Sequence, residues 1–327
     1  MVGKQIGDAM SKQPLRIIFM GTPDFAASNL QALIDGPDDV VAVVTQPNRP
    51  KGRGKKLTPP AVKLLAEYAG IPTLQPAKIR TEEFLNGLLS YQPDLIVVTA
   101  YGRILPPSLL ELSPMGCINV HGSLLPRHRG AAPIQWSVIK GDKEVGVTVI
   151  RMDEGMDTGD TLLKASILTA PDETAATLFD KLANLGTETL LKAIKGLKDG
   201  TIAPTPQDHS MATEAPLLKK TDGLVDWSKS SGELESLIRG LDPWPSAFCF
   251  LNSKRLRLFR PEVVYKETDA QPGSLLRADK RGLLIACGKD ALLVKEIQPE
   301  GKKRMTAEAF LCGCSLEAGT LFKNDQI

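Results

Sequence analysis

Short, mainly apolar runs alternate with stretches of helical period through the first half of the chain. Leu15–Met20 is such a run, and Gly21-Thr22-Pro23 turns it into a helix that continues to Ile34. Val40–Val44 predicts a second strand, followed by a loop and a helix from about Pro60 to Ala69. A helix near Glu82–Ser90 leads into a strand at Leu95–Val98. Another apolar run at 117–120, a helix over Pro133–Ile139 and a strand over Val145–Met152 continue the series. Glu173–Leu197 predicts a long amphipathic helix, with Leu178, Leu182, Leu185 and Leu190 near helical spacing. Strands that alternate with helices imply a mostly parallel sheet with helices on both faces, an α/β architecture of Rossmann-like outline.

The pattern changes past residue 200. Asp199 to Gln207 is rich in Gly and Pro and reads as a linker. A helix at Gly232–Arg239 follows. Short apolar runs then recur at Ala247–Leu251, Leu256–Phe259, Gly273–Leu276, Leu283–Ala286 and Leu292–Ile297, which predicts a small β-barrel. The expected division is a lead-in over 1–14, a first domain over 15–199, a linker over 200–212 and a second domain over 213–327. At 327 residues the chain is long enough for two such cores.

Composition narrows the class. No apolar run reaches membrane-spanning length, and Met1–Gln13 lacks the apolar stretch of a signal peptide, so it is expected to be a disordered lead-in. Cys117, Cys249, Cys287, Cys312 and Cys314 form no C-x-x-C pair, so reduced thiols in a cytoplasmic protein are expected and zinc is not. The net charge of +2 is too small to argue for a nucleic-acid partner. Local density says more. Arg49, Lys51, Arg53, Lys55 and Lys56 are interleaved with Pro50, Gly52 and Gly54, and no acid interrupts them. A solvated loop is the bland account of that run; a clamp on phosphates is the functional one. Gly21-Thr22-Pro23 lacks the G-x-G-x-x-G fingerprint and no P-loop appears, which argues against a nicotinamide-linked oxidoreductase.

The candidate chemistry centres on Asn119-Val120-His121 at the end of the 117–120 run. Residues two apart in a strand share a face, so the amide and the imidazole point into one space. Polar groups at the C-terminal end of a strand are where an open α/β sheet builds its site. An amide suits a developing oxyanion, and a carboxylate beside His121 would favour its charged form and fix its orientation. Asp157, on a loop between Gly155 and Gly159, is the carboxylate chosen. Taken alone, an Asn-x-His pair is more often structural, and Asp153, Glu154, Asp157 and Asp160 also fit a solvated turn or a cation site. Their spacing does not match a calcium loop. His128, between Arg127 and Arg129, is expected at the surface.

The stretch from Asn119 to Asp160 resembles the formyltransferases that use 10-formyltetrahydrofolate. The residues that carry the likeness are Asn119-Val120-His121, Ser123-Leu124-Leu125-Pro126, Arg129-Gly130 and Met156-Asp157-Thr158-Gly159. Met156 stands where the family has Leu, a swap of similar volume. The resemblance implies Asn119, His121 and Asp157 as the catalytic set and Ser123, Leu124, Leu125 and Pro126 as lining of the tetrahydrofolate pocket. It implies 10-formyltetrahydrofolate as co-substrate, tetrahydrofolate as product and no metal.

The likeness extends over nearly the whole chain to the tRNA-formylating members of the family. Thr45-Gln46-Pro47-Asn48-Arg49-Pro50, running into Gly52 to Leu57, is similar to their tRNA-gripping loop, with Asn48 where relatives often carry Asp. Asp226-Trp227-Ser228 and Asp242-Pro243-Trp244-Pro245 match their second domain, which implies an OB-like barrel. The implied acceptor is initiator methionyl-tRNA, gripped by Arg49, Lys51, Arg53, Lys55 and Lys56. Lys254, Arg255, Arg257, Arg260, Lys302, Lys303 and Arg304 supply further cations for an RNA backbone. Trp227 and Trp244 are expected in the core rather than stacked on bases. No obligate protein partner is implied, and a monomer is expected. The rival accounts are formylation of a small amine and a non-catalytic RNA-binding protein with a degenerate core.

Overall fold

Ile17, Ile18, Phe19 and Met20 are completely buried, as a strand covered on both faces requires. They belong to β1 (Arg16–Gly21) in the computed structural model, which describes residues 13–51 and 56–324. The expected lead-in therefore lies almost wholly outside the described residues. After β1 come α1 (Asp24–Ile34), β2 (Asp39–Val44) and a short hairpin of β3 (Arg49–Lys51) and β4 (Lys56–Thr58). Helix α2 (Ala61–Tyr68), β5 (Thr73–Leu74), α3 (Glu82–Leu89), β6 (Leu95–Thr99) and α4 (Pro107–Leu110) precede the site strand β7 (Cys117–His121). Helix α5 (Pro133–Ile139), β8 (Glu144–Arg151), β9 (Thr161–Leu168) and α6 (Ala175–Lys198) complete this part.

The strands form one seven-stranded sheet in the order β5-β2-β1-β6-β7-β8-β9. Pairing is parallel from β5 to β7 and turns antiparallel at β7–β8, where His121 faces Thr148 and Asn119 faces Ile150. The sheet is thus mostly parallel, as the alternation of elements predicts. Its strand order reverses beside β1 and β6, the kind of place where an α/β sheet opens a crevice.

Helix α7 (Ser231–Gly240) opens the C-terminal sheet domain. Strands β10 (Phe248–Leu251), β11 (Lys254–Val264), β12 (Leu275–Asp279), β13 (Gly282–Ala286), β14 (Ala291–Pro299) and β15 (Met305–Thr306) follow, with α8 (Ala307–Leu311) last. They pair antiparallel in the order β10-β11-β14-β13-β12, with β15 added to β14. A small, partly open antiparallel sheet of this kind is consistent with the OB-like expectation. Trp227 is in its core at 4% exposure, whereas Trp244 is 51% exposed, so the core placement expected for both holds only for Trp227. Arg255 lies over the Phe248 ring, and Arg304 lies over Phe259 while pairing with Asp242 and Glu296. Arg257 bonds Gln298 and Arg260 pairs with Glu296, so these four arginines all have partners within the domain.

Two compact units emerge. One holds the described residues of Met1–Pro133, Glu144–Ile167 and Phe179–Pro216; the other holds Ile134–Lys143, Leu168–Leu178 and the described residues of Leu217–Ile327. Two stretches that the sequence reading puts in the first domain thus pack with the second. Gly240 explains one: its backbone runs so close to α5 that an added Cβ would be 2.5 Å from Ile139 Cγ1. Arg239 explains the other, donating from Nη1 to the Glu173 carbonyl at 2.6 Å. No helix among the described residues is long and apolar enough to cross a membrane.

Candidate active site

The apolar run of β7 buries Cys117, Ile118, Val120 and His121 and leaves Asn119 half-buried. No hydrogen bond to the Asn119 amide occurs among the described residues, so its donors are unengaged. His121 is only 5% exposed and touches two acceptors. Its Nδ1 is 3.4 Å from Asp157 Oδ1, and its Nε2 is 2.9 Å from the His128 carbonyl. The His128 carbonyl can only accept, so Nε2 donates in that bond, and Nδ1 faces the carboxylate at ion-pair distance.

Asp157 reaches this place by an unusual backbone. Its φ is 56°, in the left-handed region that side chains other than Gly rarely adopt. Its second oxygen, Oδ2, accepts from the Gly130 N–H at 2.9 Å. Gly130 has φ 124°, and a Cβ there would be 2.7 Å from the Ala215 carbonyl oxygen, so only glycine fits. The carboxylate is therefore held on one side by the imidazole and on the other by a backbone amide. Such bonds to an ionised oxygen are among the stronger ones in proteins.

His128 departs from its expected surface position. It is 4% exposed with φ 60°, and its N–H donates to Thr213 Oγ1 at 2.9 Å. It contributes its carbonyl to His121. The acidic loop also gains a plain explanation. Asp153 Oδ1 accepts from the Gly155 N–H at 3.1 Å and from Thr158 Oγ1 at 2.7 Å, which braces the loop as a turn does.

Ser123 to Pro126 build the turn beneath the site. Ser123 Oγ donates to the Arg127 carbonyl at 2.6 Å, and Thr148 Oγ1 donates to the Ser123 carbonyl at 2.7 Å. The Leu125 N–H donates back to Thr148 Oγ1 at 3.0 Å, and the Lys164 ammonium donates to the Leu125 carbonyl. A cavity of about 690 Å³ opens elsewhere, lined by Leu110, Cys117, Arg151, Met152, Asp153 and Glu154 among others, and none of 123–126 lines it. Cys117 is two residues before Asn119 on β7, and Met152 to Glu154 lead into the Asp157 loop. Burial pushes the Cys117 thiol up to about 12, so it is a neutral wall and not a nucleophile.

Sequence reasoning missed Gln207, which is 7% exposed and bonds the backbone of the Asp157 loop. The 200–212 stretch is not a free linker in this region. Thr205 and Thr161 exchange backbone hydrogen bonds, the Arg129 N–H donates to the Thr213 carbonyl, and the Ala215 N–H donates to the Arg129 carbonyl. A glutamine in a proline-rich run carries no local signal of such a role. Of the basic run, Arg49 is an exposed residue of β3; Arg53 and Lys55 lie outside the described residues, and only the backbone of Lys51 and Lys56 is described.

Residues 15–194 match the formyl transferase family, and residues 217–315 match the formyl transferase C-terminal domain. The chain is 70% identical over 323 residues to the methionyl-tRNA formyltransferase of Desulfotalea psychrophila, covering 99% of each. It is 50% identical over 305 residues to that of Geobacter metallireducens, covering 93% of this chain and 97% of the relative. In fold it is similar to an N-formyltransferase from Helicobacter canadensis, with a TM-score of 0.64 at 14% identity over 89% of this chain and 100% of that one.

Proposed function

The chain belongs to the formyl transferase family, and from that premise we infer that it transfers the formyl group of 10-formyltetrahydrofolate to the α-amine of methionyl-tRNA. The products are N-formylmethionyl-tRNA and tetrahydrofolate, and the proposed acceptor is the initiator tRNA used to begin translation in the cytoplasm. A methionyl-tRNA formyltransferase matches end to end at 70% identity, so the reading covers the whole chain. The observation that carries the chemistry is the contact of His121 with Asp157 beside the unengaged amide of Asn119.

The amine attacks the formyl carbon, and a C–N bond forms as the carbonyl π pair moves onto oxygen. Asn119 donates to that oxyanion through its amide. A preorganised donor of this kind contributes on the order of 3 kcal/mol to the barrier. His121, with a proton on each nitrogen, adds positive charge beside it. Asp157 orients the ring and collects the proton lost by the amine, through a water where the gap requires one. The tetrahedral species collapses when the bond to N10 of the folate breaks, and N10 takes up a proton as it leaves. No covalent enzyme intermediate is needed, in keeping with the buried, neutral thiol of Cys117.

For the folate we propose the cavity bounded by Cys117 and Met152–Glu154. Strand geometry puts Cys117 and Asn119 roughly 7 Å apart on one face, so a ring seated there presents its one-carbon unit toward the amide. Ser123, Leu124, Leu125 and Pro126 then serve the folate by fixing the wall between β7 and His128. Arg49, Lys51, Arg53, Lys55 and Lys56 are proposed to neutralise tRNA phosphates. Every catalytic group comes from one chain, and a monomer is the proposed working form.

Labelled formyl transfer from 10-formyltetrahydrofolate tests this, with methionyl initiator tRNA, methionyl elongator tRNA and glycinamide ribonucleotide offered side by side. Formylation of the initiator is expected, and preference for the small amine would reject the acceptor. Asn119→Ala and His121→Ala should each lower kcat by about 100-fold or more while tRNA binding persists. Normal turnover by either variant would reject the catalytic assignment.

A further inference from the structure

We propose that Gln207 is a positioning residue for Asp157, a single carboxamide that ties together the two loops gripping the catalytic carboxylate. The inference rests on the reading of Asp157 as the partner of His121. That carboxylate has one lock in the Gly130 N–H, and Asp153 braces the loop at Gly155 and Thr158, but neither of these reaches the Asp157 carbonyl. Asp157 is held at φ 56°, a conformation that persists only where the surrounding structure over-determines it. Something outside the loop has to hold it.

Gln207 meets that need. Its Nε2 donates to the Asp157 carbonyl at 2.9 Å and to the Gly159 carbonyl at 2.7 Å. Its Oε1 accepts from Arg129 Nη2 at 2.6 Å and from Arg129 Nε at 3.2 Å. Both donors and both lone pairs of the amide are thus used, in a side chain that is 7% exposed. Arg129 is the residue before Gly130, whose amide holds Asp157 Oδ2 at 2.9 Å. One face of the carboxamide therefore fixes the backbone of the loop carrying the carboxylate, and the other fixes the loop carrying its amide donor. Arg129 is itself steadied by His209 Nδ1, which accepts from Nη2 at 3.1 Å. Gln207 is the buried centre of this network with all four bonds of its amide used, so its loss loosens the loops on both sides.

The plainer account is that Gln207 only pins residues 201–216 to the first unit. That account predicts lower stability with normal chemistry in whatever protein remains folded. Positioning predicts something different, because a misplacement of about 1 Å costs on the order of 100-fold in rate. The test uses the full-length protein with Gln207→Met, which keeps the volume and removes all four bonds. Turnover should fall by about ten-fold or more, with KM for methionyl-tRNA and for 10-formyltetrahydrofolate each within about two-fold. Deuterium exchange, read without substrate, should speed up at the Gly130 amide by about ten-fold while β1 amides keep their protection.

A loss carried by KM alone, unchanged kcat, or an even loss of protection across the first unit overturns the proposal. Gln207→Glu is the second variant, for use if the first does not fold. It keeps an acceptor for Arg129 but turns an oxygen toward two carbonyls, and the same split of kcat from KM is expected. In the unaltered protein a fast-exchanging Gly130 amide overturns the proposal outright. Absence of formyl transfer by the unaltered protein would instead reject the functional reading, and the exchange measurement would still judge the clamp.

Discussion

Cys117 and Asn119 lie two residues apart on β7, yet burial makes one inert and partial exposure makes the other a ready donor. The thiol, raised to about 12 by burial, has almost no thiolate at neutral pH. Iodoacetamide at pH 7.5 should therefore label the exposed Cys312 and leave Cys117 unmodified in the folded protein, as peptide mass mapping would show. Rapid labelling of Cys117 would mean that the cavity wall opens. The shared strand of Asn119 and His121 is legible in the sequence, because alternation along β7 puts them on one face. The choice of Asp157 rests on its loop between Gly155 and Gly159 and on the family likeness; the left-handed backbone by which it approaches His121 is encoded in no periodicity. His128 was misjudged for a related reason. Its arginine neighbours suggest a surface, but what it offers the site is a carbonyl, which every residue has.

Elements with a strong apolar signal, such as β1 and β6, are legible in the sequence, and those without one, such as β9 and the β3–β4 hairpin, are not. Helix α5 begins and ends where its proline and apolar pattern predict. Strand β9 was missed because, at the sheet edge, only Leu162 is buried and the remaining positions alternate between half-buried and exposed. Helix α7 shows how local chemistry fixes a boundary. Ser230 Oγ accepts from the Glu233 N–H at 3.3 Å, and Glu233 Oε2 accepts from the Ser230 N–H at 3.0 Å, a reciprocal cap. The Ser230 hydroxyl, and after it the Ser230 N–H, hold the Glu233 carboxyl below its usual range. A depressed carboxyl contributes stability above the unfolded-state value and loses it as pH falls through the folded one. Ser230→Ala should cost about 1 kcal/mol near neutral pH, read from urea unfolding. The gap between variant and parent should shrink below the ordinary glutamate range. A gap that widens in acid would show that the box is not the source of the effect.

For the molecule as a whole, two domains and a near-neutral total charge raise the question of how a polyanion is held. The net charge of +2 gives little long-range pull, so the cations must act locally. In the C-terminal sheet domain, four of the arginines expected to track RNA are committed to internal partners, which shifts weight onto the run from Arg49 to Lys56. Substituting Arg53 and Lys55 together by Ala should weaken tRNA binding and reduce the slope of log affinity against log salt by about 1–2. An unchanged slope would remove that run from the interface. The sequence boundary near residue 200 also changes meaning at this scale. The stretch of chain from Thr201 to Pro216 belongs to the unit of the seven-stranded sheet, and through Thr205, Gln207, Thr213 and Ala215 it bonds Thr161, the Asp157 loop, His128 and Arg129. Anyone shortening the gene to its transferase half should place the stop codon after Pro216; a cut at the Gly200 turn would keep Asn119, His121 and Asp157 and discard the strap bonded to the Asp157 loop.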